Sequence, residues 1–187
     1  MPRAGLTTRG VVAAAAGITD REGLSALTVT RVAEAVDVKP PSLYNHVDGL
    51  QALVRLVALD GIDRLAEVCR TAVMGRSGSD GLKALARAYQ AFALKHPGVY
   101  PLTQIARPDD ADFTAAARRV VEPVLALLAG FGLPDAELVH AARTVRSVLH
   151  GFVMLQTQSG FGLNVSVDES FEWMLDALER GLSGRGA

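Results

Sequence analysis

The sequence predicts an all-α protein: a small N-terminal domain of three short helices, then a larger helical domain. Three observations predict it. Alanine and leucine are abundant and β-branched alternation is scarce. Apolar residues recur at helical spacing along most of the chain. Three short helical runs are followed by a long one, with Gly, Pro and Asp at the breaks. Hydrophobic residues make up 49% of the 187 and charged residues 21%, ordinary values for a packed globular chain. The net charge is −1, so any contact with nucleic acid must be local; a protein that coats DNA would be far more basic.

Pro2 to Leu6 reads as a short arm. Thr7 or Thr8 caps a first helix to about Glu22, stopped by Gly23, with Val11, Ala14, Ala15 and Ile18 on its apolar face. Thr28 caps a second helix to Val36, whose inner face is Val32, Ala33 and Val36. Asp37 then occupies a turn position, where its tolerance of left-handed geometry is useful. Pro40 holds Lys39 out of the helical region, and Pro40 and Pro41 suit the first turn of a short third helix to about Val47. Asp48 caps a long fourth helix, Gly49 to about Val73, apolar around much of its circumference. Residues 75–81 read as a linker. Beyond it we expect a helix from about Leu82 to Lys95, a short element over Val99 to Ile105, and a helix from Phe113 to Gly130 kinked at Pro123. A long helix from Asp135 to about Ser159 and a last one from Asp168 to about Arg180 complete the chain. The functional division is 1–50 for a helix-turn-helix domain, its motif about 28–47, and 51–187 for the rest.

Residues 28–47 spell helix, tight turn, helix, a spacing that sets the second helix across the first and lets its outer face enter a major groove. Leu43 and Val47, four apart, anchor that helix inward, which leaves Ser42, Tyr44, Asn45 and His46 near the outside. These side chains, with Pro41 beside them, can hydrogen-bond phosphates and base edges, and the aromatic ring can lie on sugar or a thymine methyl. Thr28 and Thr30 can hold a backbone phosphate, and Arg9, Arg31 and Lys39 supply charge. The competing reading is a tight helical corner without a DNA role, for which the apolar anchors would look the same.

At these residues the chain resembles the tetracycline-repressor (TetR) family of bacterial regulators. The resemblance rests on the helix-start Thr, the Ala of the first motif helix, and the block Pro41-Ser42-Leu43-Tyr44-Asn45-His46-Val47, and it is strong from Leu6 to about Leu59. It implies that the block is the DNA recognition helix. Farther on, Lys95-His96-Pro97 and Leu149-His150-Gly151 resemble the subgroup with a Trp-His-Gly signature in its C-terminal domain. Four positions depart from the family pattern: Asp37 stands at the usual turn Gly, Lys39 at the Ser/Thr cap, Val47 at a Phe, and Asp48-Gly49-Leu50-Gln51 lacks the expected basic residue. In residues 1–50, Arg3, Arg9, Arg21, Arg31 and Lys39 are balanced by Asp20, Glu22, Glu34, Asp37 and Asp48, so few phosphate contacts are expected.

A recognition helix this short needs a second copy, about 34–36 Å away on a palindromic operator. The resemblance implies a homodimer. Candidate interface stripes are Leu138, Val145, Leu149 and Phe152 on the penultimate helix and Phe171, Met174, Leu175 and Leu178 on the last; the alternative is that they complete the subunit's own core. Phe92, Tyr100, Gln104, Phe113, Phe131, His150, Met154 and Gln158 are candidates for a small-molecule pocket, with core packing as the alternative for each. A ligand that favours one spacing of the two reading heads would weaken DNA binding, with the fourth helix as lever.

Other classes find little support. His46, His96, His140 and His150 are scattered, no phosphate loop or nucleophile elbow is present, and neither metal nor cofactor is implied. The rivals are an enzyme, or a helical small-molecule-binding protein or scaffold, in either case without DNA binding. Cys69, the single cysteine, excludes an internal disulfide and reads as packing in a reducing, cytoplasmic compartment. The Val11–Ala16 run is too short, and too closely followed by Asp20 and Glu22, for a signal peptide, and no run is long enough to span a membrane.

Overall fold

The computed structural model of the protein describes residues 6–184, so residues 2–5 of the expected arm, Arg3 among them, lie outside the described residues. Among the described residues are nine α-helices, one 3-10 turn at Leu24–Ala26, and no strand. The helices are α1 (Thr8–Glu22), α2 (Val29–Ala35), α3 (Pro40–Leu43), α4 (Gly49–Val73), α5 (Gly78–Lys95), α6 (Tyr100–Thr103), α7 (Ala111–Ala129), α8 (Asp135–Thr157) and α9 (Val167–Ser183). The all-α expectation holds. Three boundaries differ. The third helix is one turn only, after which residues 44–46 continue as turn. Residues 78–81 belong to α5 rather than to a linker, because Gly81 is needed inside that helix: a Cβ there would lie 2.4 Å from Leu127 Cδ1 of α7. α7 begins two residues before Phe113, at Ala111, and runs through Pro123.

The chain divides into two compact units. The first runs as far as Ile62 and takes in His96–Phe113; the second comprises Asp63–Lys95 and the chain from Thr114 onward. This differs from a cut after residue 50, because residues 96–113 pack with the N-terminal helices although they are distant in sequence.

In the first unit Val11, Ala15 and Ile18 of α1 are buried, as are Val32, Ala33, Leu43, Val47, Leu53 and Val57. Each large side chain so buried contributes about 1.5–3 kcal/mol. Local chemistry fixes the helix ends. The Thr7 hydroxyl accepts the N–H of Gly10 at 3.1 Å, and Thr28 accepts that of Arg31 at 3.1 Å. Asp37 adopts φ 54°, and the N–H of Val38 closes α2 on the Ala33 carbonyl at 3.0 Å.

Two acid-centred clasps hold the 96–113 segment. The Asp20 carboxylate, at the end of α1, accepts the N–H groups of Gly98 and Val99 at 3.1 and 2.8 Å and lies 2.8 Å from His96 Nδ1. The Arg55 guanidinium of α4 donates to Asp110 at 2.7 and 2.8 Å and to Asp112 at 2.7 Å. Hydrogen bonding from Arg55 pulls the Asp110 carboxyl down to about 2 from its usual 3.8. The unfolded chain therefore binds that proton more readily than the folded one. The stabilisation is complete above about pH 4 and is lost as pH falls towards about 2. We expect urea midpoints of the wild type to fall over that window. Asp110→Asn should be less stable at pH 7 and should fall less steeply there.

The second unit buries Leu65 and Cys69 of α4; Leu82, Leu85, Tyr89 and Phe92 of α5; Ala116, Leu127 and Leu128 of α7; Val145, Leu149 and Val153 of α8; and Phe171, Leu175 and Leu182 of α9. Val145, Leu149, Phe171 and Leu175, expected at a dimer interface, are instead the subunit's own core, none more than 2% exposed. Periodicity finds an apolar face without saying which neighbour covers it, and here α5, α8 and α9 cover one another. Phe152 sits between the rings of Phe161 and Phe171, at 4.9 and 5.1 Å. Leu138, Met174 and Leu178 are half-buried. Across this core Lys83 pairs with Asp176 and Glu179 at 2.8 and 3.3 Å, and Arg87 with Glu172 at 2.7 Å. Burial pushes the Cys69 thiol up to about 12, consistent with an inert packing residue.

Candidate nucleic-acid interface

α3 is a short prop held by its apolar side. Leu43 is fully buried and Val47 nearly so, and the turn between them is closed by the N–H groups of His46 and Val47 on the Leu43 carbonyl, at 2.8 and 3.0 Å. Lys39, at φ −78° and ψ 144°, leads the chain into the helix in extended form, as a residue before proline should. With its anchors inward, the remaining surface of the segment faces solvent. Tyr44 is 60% exposed although its ring is one of the largest apolar groups in the first unit. Pro41, Ser42 and Asn45 are exposed beside it.

His46 differs from its neighbours. It is half-buried, and its Nδ1 lies 3.5 Å from the Thr8 hydroxyl at the start of α1, so it braces α3 against that helix while keeping part of its ring outside. Thr28, Thr30 and Lys39 are exposed, as is Arg9 on α1. The Thr28 oxygen is already an acceptor for Arg31 N–H, which leaves its hydroxyl proton to donate. Arg31 is exposed but engaged: its guanidinium lies 2.5 Å from Glu22. Nine of the ten sequence-derived DNA candidates are thus exposed, with His46 the half-buried exception, and all belong to the first unit.

The eight pocket candidates do not gather in one unit. Tyr100, Gln104 and Phe113 belong to the first, where Tyr100 and Phe113 are core and the Gln104 amide donates to the Thr103 hydroxyl at 2.8 Å. Phe92, Phe131, His150, Met154 and Gln158 belong to the second. Phe92 is buried under the Arg64 guanidinium, 5.8 Å from its centroid. Phe131, His150 and Met154 are half-buried, and Gln158 is exposed. Burial, reinforced by Arg146, holds the His150 imidazolium below its usual pKa. Two surface grooves of the second unit have other linings. One of about 600 Å³ lies among Val68, Ala72, Arg76, Ala84 and Arg87, and one of about 560 Å³ among His140, Ala141, Thr144, Ala177 and Gly181. Sequence reasoning passed over Trp173, which the structure leaves 70% exposed. As the only tryptophan in the chain it was visible, but its place on the outer side of α9 depends on which face the core takes.

Comparison with known proteins agrees with this geometry. The sequence model of the family described as "Tetracyclin repressor-like, C-terminal domain" matches residues 82–178. The HTH-type transcriptional regulator YobS of Bacillus subtilis is 34% identical over 97% of this chain and 95% of its own length. The HTH-type transcriptional regulator Rv0681 of Mycobacterium tuberculosis is 36% identical over 96% of this chain and 83% of its own. The crystal structure of TetR-Q116A from Acinetobacter baumannii in complex with minocycline has the same fold, with a TM-score of 0.73 at 23% identity, covering 98% of this chain and all of that one. No helix among the described residues is long and apolar enough to cross a membrane. The matched C-terminal profile, the full-length relatives and the exposed helix-turn-helix together show that the chain belongs to the tetracycline-repressor (TetR) family of helix-turn-helix transcriptional regulators.

Proposed function

We propose that the protein is a homodimeric repressor that acts in the cytoplasm, reads a palindromic operator through α3, and is released by a small molecule taken up by its C-terminal part. The observation that carries this reading is the exposed Ser42, Tyr44 and Asn45 set, propped on a fully buried Leu43. Packing gives no reason for a tyrosine to stand in solvent there, whereas a major groove offers it sugar, phosphate and thymine methyl partners. Residues 1–50 hold the DNA contacts: Tyr44, Ser42 and Asn45 at base edges and sugar, with Arg9, Thr28, Thr30, Lys39, Pro41 and His46 placing the head on the backbone. Arg31 joins them by exchanging Glu22 for phosphate. The second unit, Asp63–Lys95 and the chain from Thr114 onward, supplies dimerisation and sensing.

Dimerisation falls to the outer faces of α8 and α9, where Val139, Leu155 and Trp173 are exposed. The polar and apolar mixture of Phe92, Phe131, His150 and Met154 in the second unit supports sensing, and a neutral His150 would suit an uncharged ligand. Neither role calls for catalysis, and the chemistry of the half-buried His150 alone does not supply it.

A gel shift on DNA upstream of the protein's own gene, backed by selection from random duplexes, tests the reading. Binding by the wild type, lost in Tyr44→Ala and His46→Ala, is the expected result; a wild type that retains no duplex defeats it. The zero formal charge of residues 1–50 adds a second expectation. Log affinity should fall with log salt at a slope no steeper than about −8 per dimer. A steeper slope would mean more phosphate contacts than this head can supply.

A further inference from the structure

The chain passes between its two units at three places: inside α4 between Ile62 and Asp63, between Lys95 and His96, and inside α7 between Phe113 and Thr114. Two of the three are uninterrupted helices. Anything that happens in the second unit can reach the DNA-reading unit through the backbone only along these routes.

Within the first unit all three ends are fastened. α4 belongs to this unit as far as Ile62 and buries Leu53 and Val57 within it. The chain entering at His96 is held to α1 by Asp20, which takes the N–H groups of Gly98 and Val99 and the His96 ring. Gly61 of α4 meets the same segment so closely that a Cβ would lie 2.6 Å from Val99 Cγ1 and 2.9 Å from Thr103 Cγ2. The start of α7 is held to α4 by Arg55, through two bonds to Asp110 and one to Asp112, and farther along the same two helices Arg119 pairs with Asp63. Asp110 is also the cap of α7, since its Oδ1 accepts the N–H groups of Asp112 and Phe113 at 3.1 and 3.3 Å. Phe113 is buried below, with the Arg107 guanidinium 4.8 Å and that of Arg55 5.9 Å from its ring centroid.

A planar guanidinium bound bidentately to the residue that caps a helix fixes direction as well as distance. We propose that Arg55 is a coupling residue, a clasp that makes the first-unit ends of α4 and α7 move as one body and so carries displacements of α7 to the DNA-reading head. This rests on the DNA-binding reading above. A partly exposed ion pair contributes only modestly to stability. The clasp's role is to remove independent motion of two rods that both leave the unit.

Coupling is reciprocal, so it can be read from the DNA side without a known ligand. The experiment is hydrogen exchange on the full chain, free and saturated with the duplex enriched by selection from random DNA. In the wild type, DNA should slow exchange around Tyr44 and also along α7 beyond Thr114. In Arg55→Met at saturating DNA the protection around Tyr44 should persist, while the bound-minus-free difference in α7 should fall below about a third of its wild-type value. Asp112→Asn removes one arm of the clasp at an exposed residue that does not cap the helix, and it should give an intermediate loss in a normally folded protein. General destabilisation would speed exchange in both states and leave the difference intact, and that result overturns the proposal. So does a wild type that binds DNA with no response in α7. A wild type that binds no duplex overturns the DNA reading and this inference together.

Discussion

Tyr44→Ala is expected to weaken specific DNA binding by well over tenfold and to leave the fold unchanged. The side chain is 60% exposed, so truncation removes little packing, and stability should stay within about 0.5 kcal/mol of wild type. Its neighbour Leu43, fully buried, still holds α3 in place. A contact of this kind at a nucleic-acid surface is worth about 1–2 kcal/mol. Two copies on a palindrome lose about 2–4 kcal/mol, or roughly 30- to 700-fold in affinity. Titration of the selected duplex by fluorescence anisotropy, beside a thermal melt, reads both quantities. Unchanged affinity would return the block to the role of a helical corner. Leu43→Ala makes the contrast: it should cost about 2–5 kcal/mol of stability and lose DNA binding only because the prop is gone.

A large loss of stability is also expected on substituting Gly98. A Cβ built there would lie 1.9 Å from the Thr19 carbonyl oxygen and 2.4 Å from its carbon. Those are backbone atoms within α1, which cannot swing aside as a side-chain tip can. Gly98→Ala must push the 96–113 segment away from α1, and doing so pulls the Gly98 and Val99 N–H groups off Asp20. Overpacking of about 1–3 kcal/mol is then joined by a half-buried carboxylate short of its donors, for a loss of about 3 kcal/mol. Urea unfolding followed by circular dichroism measures it. Gly17→Ala on the same helix is the control. Its methyl meets only the end of the Arg21 side chain at 3.1 Å, so the change should be neutral or slightly stabilising. Equal midpoints for the two variants would contradict the close approach.

Much of the first unit was legible because its signals are local. Thr7 and Thr28 are hydroxyls placed to cap, Asp37 is a side chain that tolerates positive φ, and Pro40 after Lys39 forces an extended residue before a helix. Each acts within four residues of itself, and the structure has each of them in that role. The all-α class was legible for the same reason. Residues 78–81 misled because two glycines and a serine read as linker, whereas the close contact of Gly81 with Leu127 is a tertiary reason for glycine inside a helix. Val145, Leu149, Phe171 and Leu175 misled as interface residues because a stripe records burial and not the identity of the covering surface.

By itself the sequence determined most of the helices, the Thr7 and Thr28 caps, the block from Pro41 to Val47 and which side of that block is anchored. Hydrogen-bond capping, proline geometry and 3.6-residue periodicity are all properties of adjacent residues. Only the tertiary structure decided that residues 96–113 belong with the reading head, that Arg55 ties α4 to the cap of α7, that Glu22 occupies Arg31, and that Trp173 rather than Phe171 faces outward. Those are meetings between residues 9 to 79 positions apart, or the choice of a helix face by neighbours from elsewhere in the chain. No pattern along the chain encodes such a meeting until packing has brought the partners together.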